Sequence, residues 1–326
     1  MGIGVISAGF AACNDDDDNG SNGGSTNAKE ATSALKDKDG NPVQVAAVGD
    51  CAFVYGTDGQ LAGFSTEDGT YAFQNNSLFF TDGKGSTGTI YMSDGLIRSI
   101  KIDQKNVKDE DETLNDRFGT INFSYNSSRQ LAKVHGVVSG TISFGQNSDK
   151  MNFNSTGNAT YTWENNNLVK SAYKSSYTIS GVEDGQQYTE SETYENTVTF
   201  AYGSQQNVTR QFPYFVADAM EIFGDYCSFA SLGFFGVGSA QLPTGYTEVS
   251  KEDSEDEHNY ASTLAFELNE NGTLHREIYD GYKIINYTYA SQLIGEEDIT
   301  PAPNAAHAPM KPAQSAHDFV RLFFGK

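Results

Sequence analysis

Basic side chains are scarce in this chain: Lys and Arg total 21 against 43 Asp and Glu, for a formal charge of −22 over 326 residues. An acidic surface gains nothing from counterion release and is repelled by anionic lipid, so nucleic acid is not an expected partner. Proline occurs 7 times and tryptophan once. No stretch reaches the roughly 18 apolar residues of a membrane-crossing helix. Histidines are also few (His135, His258, His275, His307 and His317), and none forms an HxxxH or HxH pair, so no zinc site is expected. "KDKDGNPV" places Pro42 where a calcium loop needs glycine. The acidic runs at 15–18, 109–112 and 252–257 therefore read as solvated loops. Gly236-Val237-Gly238-Ser239-Ala240 lacks the last glycine of a nucleophile elbow. No local pattern singles out a carboxylate pair. No catalytic residue, metal or cofactor is expected.

What is abundant is Tyr (18), Phe (21) and Gly (33), the composition of antiparallel strands joined by polar turns. One pattern recurs: an alternating aromatic strand, a turn of Asn, Gly, Asp or Ser, then a leucine. The copies are "CAFVYGTDGQLAGFS", "GTIYMSDGLIRSIKI", "INFSYNSSRQLAKVHG", "ATYTWENNNLVKSAYK" and "LAFELNENGTLHREIY", with a shorter "YAFQNNSLFF". Aligned on Leu61, Leu96, Leu131, Leu168 and Leu274, they place Arg98, Lys133, Lys170 and Arg276 at one offset. Each copy reads as a β-hairpin. Asp58-Gly59, Asp94-Gly95 and Asn271-Gly272 supply the positive φ of a tight turn. By period two, the basic residue shares the leucine's face, with its stem on apolar surface and its head in water. The expected fold is mainly β: a large antiparallel curved sheet, or a barrel or half-barrel, built from repeated hairpins.

One segment departs from this pattern. "QFPYFVADAMEIFGDY" has Phe215, Val216, Ala219, Met220 and Phe223 at helical spacing, with Pro213 in the first turn and Gly224 at the end. The apolar, glycine-rich "CSFASLGFFGVGSAQLPTGY" follows it. A helix plus loop this hydrophobic must be buried, and it is expected to plug the concave side of the sheet. These hairpins, together with "FASLGFFGVGSAQLP" after a short helix, resemble an uncharacterised family of Bacteroidetes lipoproteins. The resemblance covers residues 45–295 and implies a porin-like β fold. It carries over no catalytic residue.

Residues 1–12 are apolar or small, and Phe10-Ala11-Ala12-Cys13 resembles a bacterial lipobox. The resemblance implies a signal peptide and a cysteine that becomes a lipidated N-terminus. A signal peptide begins positively charged, whereas no Lys or Arg precedes this run, so the expected leader is truncated at its start. Asp15, Asp16, Asp17 and Asp18 resemble the surface-export signal of Bacteroidetes lipoproteins. From Cys13 to 42 the chain reads as a flexible Gly/Ser/Asn tether. The single β domain spans 43–295, and a Pro/Ala-rich tail covers 296–326. The expected address is the outer membrane, anchored in its lipid through Cys13 and exposed at the cell surface. Cys51 and Cys227 remain as a possible disulfide or as two buried thiols. Tyr161 and Trp163 share a strand face and read either as core or as an aromatic platform for a sugar ring. The favoured function is a non-catalytic binding or interaction module for a glycan or peptide. The alternatives are a hydrolase with a carboxylate pair in the concave face, and a structural or pore-like envelope protein.

Overall fold

The computed structural model describes residues 35–290, apart from 57–58, 67–68, 73–77, 82–85, 110–111, 145–149, 184–185, 221–226 and 254–256. The chain runs through β1 (Val45–Val48), β2 (Cys51–Tyr55), β3 (Leu61–Thr66), β4 (Gly69–Ala72), β5 (Leu78–Thr81), β6 (Ser86–Ser93), β7 (Leu96–Asp109) and β8 (Glu112–Tyr125). It continues through β9 (Leu131–Phe144), β10 (Lys150–Glu164), β11 (Asn167–Glu183) and β12 (Gln186–Gln206). After α1 (Tyr214–Ala219) and α2 (Cys227–Ala230) come β13 (Gln241–Glu252), β14 (His258–Leu268), β15 (Leu274–Tyr279) and β16 (Lys283–Tyr289). All strands belong to one 16-stranded sheet in the order β4-β3-β2-β1-β16 and then down in sequence to β5. Every consecutive pair in the chain is antiparallel except β4 and β5, which stand at the two ends of this order. With β1 paired to β16, the meander is one curved antiparallel sheet, open between β4 and β5, the curved sheet of repeated hairpins that was expected.

Strand β10 shows why these residues pleat this way. Met151, Phe153, Ala159 and Tyr161 are buried, while Lys150, Asn152, Asn154, Asn158, Thr160 and Thr162 face out. The outer face is hydrogen-bonded between strands: Thr156 Oγ1 lies 2.9 Å from Ser176 Oγ, and His135 Nδ1 lies 2.9 Å from Asn158 Oδ1. A lipid-facing barrel has the opposite alternation, apolar outside and polar inside.

The hairpin repeat is real, and it holds one device that the period-two argument misses. Each copy has a β-bulge just after its turn. Tyr125 pairs with Leu131, yet Ser124 pairs with Lys133, so Ala132 is the extra residue. The same slip separates Trp163/Leu168 from Thr162/Lys170, and Leu268/Leu274 from Glu267/Arg276. It recurs between β2 and β3, and between β6 and β7 one residue later, where Arg98 itself is the extra residue. The bulge flips the strand's phase. Leu131 and Val134 are both buried, and Lys133 between them points outward. The expectation that the basic residue shares the leucine's face is therefore corrected. Arg98 instead sits 5.1 Å from the Tyr125 ring and 3.4 Å from Asp94, and Arg276 sits 3.2 Å from Glu267. The turns carry the expected positive φ at Gly59, Gly95 and Gly272, with Asp94 and Asn165-Asn166 joining them.

A second regularity ties neighbouring hairpins together. Tyr125 Oη donates to the Ile97 carbonyl at 2.7 Å, Trp163 Nε1 to the Leu131 carbonyl at 2.8 Å, and Tyr202 Oη to the Leu168 carbonyl at 2.8 Å. Each aromatic thus reaches back to a buried residue at the start of the previous hairpin's return strand.

The described parts of the connection between β12 and β13, 207–220 and 227–240, pack against the inward face, as expected of a plug. α1 begins at Pro213, which serves as its N-cap. The Gly224 end lies outside the described residues. Phe229 meets Phe53 and Phe64 at ring distances of 5.5 and 4.5 Å, Phe235 meets Phe123 at 5.2 Å, and Phe215 meets Tyr279 at 4.9 Å. These partners come from β2, β3, β8 and β15, so the segment touches widely separated parts of the sheet. Its backbone also bonds the turns directly: Ile97 N–H donates to Phe234 O, Val237 N–H to Arg129 O and Ala240 N–H to Asn166 O, each at 2.9 Å. This close approach explains the glycines. A Cβ on Gly236, whose φ is +94°, would lie 2.2 Å from Arg129 O, and one on Gly238 would lie 2.7 Å from Arg210 O.

Candidate functional site

Strands β7–β12 are 14 to 21 residues long, whereas β1–β5 and β15–β16 have 4 to 7. In an up-and-down meander, alternate connections fall at the same end. The plug shares its end with the β6–β7, β8–β9 and β10–β11 turns that it bonds. The long strands therefore continue past it toward the opposite end. Midway along them the inward face of β10–β13 carries tyrosine, small and acidic residues, with Phe153, Ile179 and Met151 beyond.

Alternation and register lay that face out in rows. Ser155, Tyr177 and Glu192 form one row across β10, β11 and β12. Gly136, Gly157, Ser175, Tyr194 and Glu252 form the next. Ala159, Tyr173, Asn196 and Ser250 form a third. The middle row has no side chain larger than a hydroxymethyl on β9–β11, so it is a floor between two walls. The walls include Tyr177 and Tyr173, about 13 Å apart along β11 at four residues' rise. The Tyr173 and Tyr194 rings lie 6.1 Å apart.

Charge and hydrogen bonding follow the same layout. Glu190 and Glu192 approach Tyr177; burial first, and these carboxylates next, push its hydroxyl above the usual phenol range. The Tyr188 hydroxyl bonds Glu190. Asn196 Nδ2 donates to Glu248 Oε1 at 3.1 Å. Two buried polar atoms here have no hydrogen-bond partner among the described residues: Ser155 Oγ, on a residue 1 % exposed, and Asn196 Oδ1, on a residue 3 % exposed. Such orphans are costly in a dry interior and mark places where a ligand group or water completes the structure.

A different carboxylate has the most altered chemistry. Glu277 on β15 is wholly buried, and burial pushes its pKa up to about 8 against the hydrogen bonds that hold it down. Phe215 N–H donates to Oε1 at 3.0 Å and Tyr287 Oη to Oε2 at 2.8 Å. Tyr214 N–H donates to Tyr287 Oη at 2.8 Å. Glu277 therefore ties the start of α1 to the wall. It is sealed and its oxygens are engaged, so it does not serve as the raised-pKa member of a hydrolytic pair.

The residues singled out in the sequence fall elsewhere. Tyr161 is buried and Trp163 half-buried; the Trp163 ring packs on Phe212 of the plug at 6.2 Å, and its indole N–H is held by Leu131 O. Both belong to the core, so the solvent-facing sugar platform is corrected. Cys51 and Cys227 are both buried free thiols, not a disulfide. Burial pushes the Cys51 thiol up to about 12. Cys13 and Asp15–Asp18 lie outside the described residues. Among the described residues no group of three or more His, Cys, Asp and Glu is placed to hold a metal ion. The signal for the concave face was present but unread. "YTESETYEN" puts Tyr188, Glu190, Glu192, Tyr194 and Asn196 on one face at period two.

No protein-family model matches this chain, and no curated protein matches it. Among solved structures, a porin-like protein from Bacteroides uniformis ATCC 8492 superposes with a TM-score of 0.41 at 15 % sequence identity. The match covers 76 % of this chain and 94 % of that one.

Proposed function

We propose that this chain is a binding module of the bacterial outer membrane, lipid-anchored through Cys13 and displayed at the cell surface. It holds a glycan or peptide ligand on the concave face of β10–β13 and catalyses no reaction. The observation that carries this reading is the pair of buried, unpartnered polar atoms, Ser155 Oγ and Asn196 Oδ1, on an inward face that also carries Tyr173, Tyr177, Tyr194, Glu192 and Glu248. Sites for small polar ligands combine aromatic walls with a few fixed polar groups in this way. The anchor follows from the lipobox-like Phe10-Ala11-Ala12-Cys13, and the surface address from Asp15–Asp18 behind it. The test is a screen of purified protein, with Cys13→Ala to keep it free of lipid, against glycan and peptide arrays. The expected result is saturable binding lost in Tyr177→Ala and Tyr194→Ala. Hydrolytic turnover of an array member, with no stable binding, reverses the reading.

A further inference from the structure

We infer that the outer face of β9–β12 docks an anionic polysaccharide, one whose sugars carry carboxylate, sulfate or phosphate groups. The inference is independent of the concave-face reading above and concerns the opposite side of the same strands. It starts from the basic position of the hairpin repeat. The bulge after the turn sets Lys133 and Lys170 on the outer face, where both are exposed. Register gathers them around one spot. Lys133 lies opposite Thr160, Thr160 lies opposite Ala172, and Ala172 has Lys170 and Lys174 two residues away on either side. Lys133 is thus two strands and two residues from each of the other lysines. The three Cα positions therefore form a triangle with sides of about 12 to 13 Å at the ordinary strand spacing and rise. Its centre, between Thr160 and Ala172, is about 7 Å from each corner, within reach of a lysine's four-carbon stem. Thr160 offers a hydroxyl there and Ala172 only a methyl, so the middle of the triangle is low. Lys133 and Lys170 have no ion-pair partner among the described residues, and Lys174 pairs with Glu195 at 2.5 Å.

Charge is spread unevenly over this molecule. The chain's net charge is −22, yet the described outward positions of β9–β12 carry Lys133, Lys150, Lys170 and Lys174 against Glu164 and Glu195. The screening length in physiological salt is about 8 Å, so an anion at the triangle feels these lysines more than the distant carboxylates. The outward neighbours of the triangle are Thr162, Asn158, His135, Thr197 and Thr199. Such side chains hydrogen-bond the hydroxyls of a sugar chain. A membrane surface instead takes up large apolar side chains, which this set lacks. The combination of ammonium groups with hydroxyls and amides fits a polymer that presents both charges and hydroxyls.

The test is titration of the Cys13→Ala protein with polygalacturonate and with dextran sulfate, with unsubstituted dextran as the neutral comparison. The expected result is saturable binding of at least one anionic polymer, none of dextran, and loss of binding in about 0.5 M salt. The double variant Lys133→Gln, Lys170→Gln weakens it by about fivefold or more, the worth of two exposed ion pairs. The control is Lys150→Gln, Lys251→Gln, which removes the same charge from outward positions away from the triangle. It changes the affinity by less than about twofold. Equal weakening by the two double variants overturns the inference, because the polymer is then responding to net charge. Failure of both anionic polymers, or equal binding of dextran, also overturns it. So does lysine-dependent binding to phosphatidylglycerol vesicles where the polymers do not bind, since the face then belongs to a membrane surface. If Tyr177→Ala abolishes polymer binding and the Lys133, Lys170 variant does not, this inference falls and the concave-face reading stands. If the lysines carry the binding and the concave face takes no ligand, this inference stands alone. All four lysines are exposed, and thermal melts establish that each variant is folded.

Discussion

Glu277 sets how this protein's stability responds to pH. Its ordinary pKa is 4.5, and in the folded chain burial raises it to about 8. Between those values the folded state holds a proton that the unfolded state has released, so stability falls as pH rises through the window and levels off on either side. Glu277→Gln removes a titrating group and keeps the shape. The expected outcome is that urea midpoints measured from pH 4.5 to 8 decline less steeply in the variant; an unchanged slope sinks the assignment. The thiols give a second residue-scale test. Cys51 and Cys227 are 7 % and 1 % exposed, and the Cys51 thiol is held protonated up to about pH 12. In Cys13→Ala protein, Ellman's reagent at pH 8 is expected to leave both thiols unreacted until guanidinium unfolds the chain. Rapid reaction of the folded protein contradicts their placement. The Glu277 behaviour was not legible beforehand, and the sequence left open whether the two cysteines pair. A glutamate in "TLHREIY" looks like any outward strand residue until the bulge turns it inward, and the spacing of Cys51 and Cys227 carries no distance.

Among the elements, the plug turns out to be a hairpin whose return strand has been displaced. "NVTRQF" at 207–212 repeats "NSSRQL" at 126–131. Both turns have an N–H from the fourth residue to the carbonyl of the first (Arg129 to Asn126 at 3.0 Å, Arg210 to Asn207 at 3.2 Å) and positive φ at the arginine. Phe212 then occupies the leucine's place, 1 % exposed, and the chain enters α1 instead of β13. The strand itself resumes at Gln241-Leu242, which matches Gln130-Leu131. The plug was recognisable in the sequence because an apolar helix-plus-loop stands out among alternating strands. Its origin in the hairpin was not, because the 28 residues 213–240 separate the two halves of the motif. Two substitutions test the joins. Tyr125→Phe loses one bond to Ile97 O, while Tyr202→Phe loses its bonds to Leu168 O and to Ser239 Oγ of the plug at 2.8 Å each. Denaturant unfolding should show a loss of about 1 kcal/mol for the first and a larger loss for the second. Gly236→Ala should cost more than either, about 2 kcal/mol or above, since its Cβ meets backbone and its φ is left-handed. If Gly236→Ala melts within a degree of the parent, the plug does not run against the Arg129 turn.

For the whole molecule, the question is whether a curved sheet of this size conducts through a membrane or stands outside one. The 16-stranded order admits either use, so number and connectivity decide nothing. The faces decide it. β10 turns Lys150, Asn152, Asn154, Asn158 and Thr160 outward, and β11 and β12 pair Thr178 with Ser191 and Lys174 with Glu195 on the same surface. Carrying such a row of amides and charges into hydrocarbon costs several kcal/mol per strand, and the buried face is already occupied by the plug. That alternation was legible in "KMNFNSTGNATYTWE", whereas the joining of β1 to β16 depends on a pairing across nearly the whole chain. The proposed reading assigns attachment to Cys13. Cys13→Ala, expressed with a complete export signal in a bacterium that lipidates its exported proteins, should move the protein from the detergent phase to the aqueous phase on Triton X-114 separation. The acylated parent should stay with the detergent, and neither should raise the conductance of a planar bilayer. A Cys13→Ala protein that remains in the detergent phase, or discrete conductance steps from either form, would mean that lipid meets the strands directly and that this face assignment is inverted.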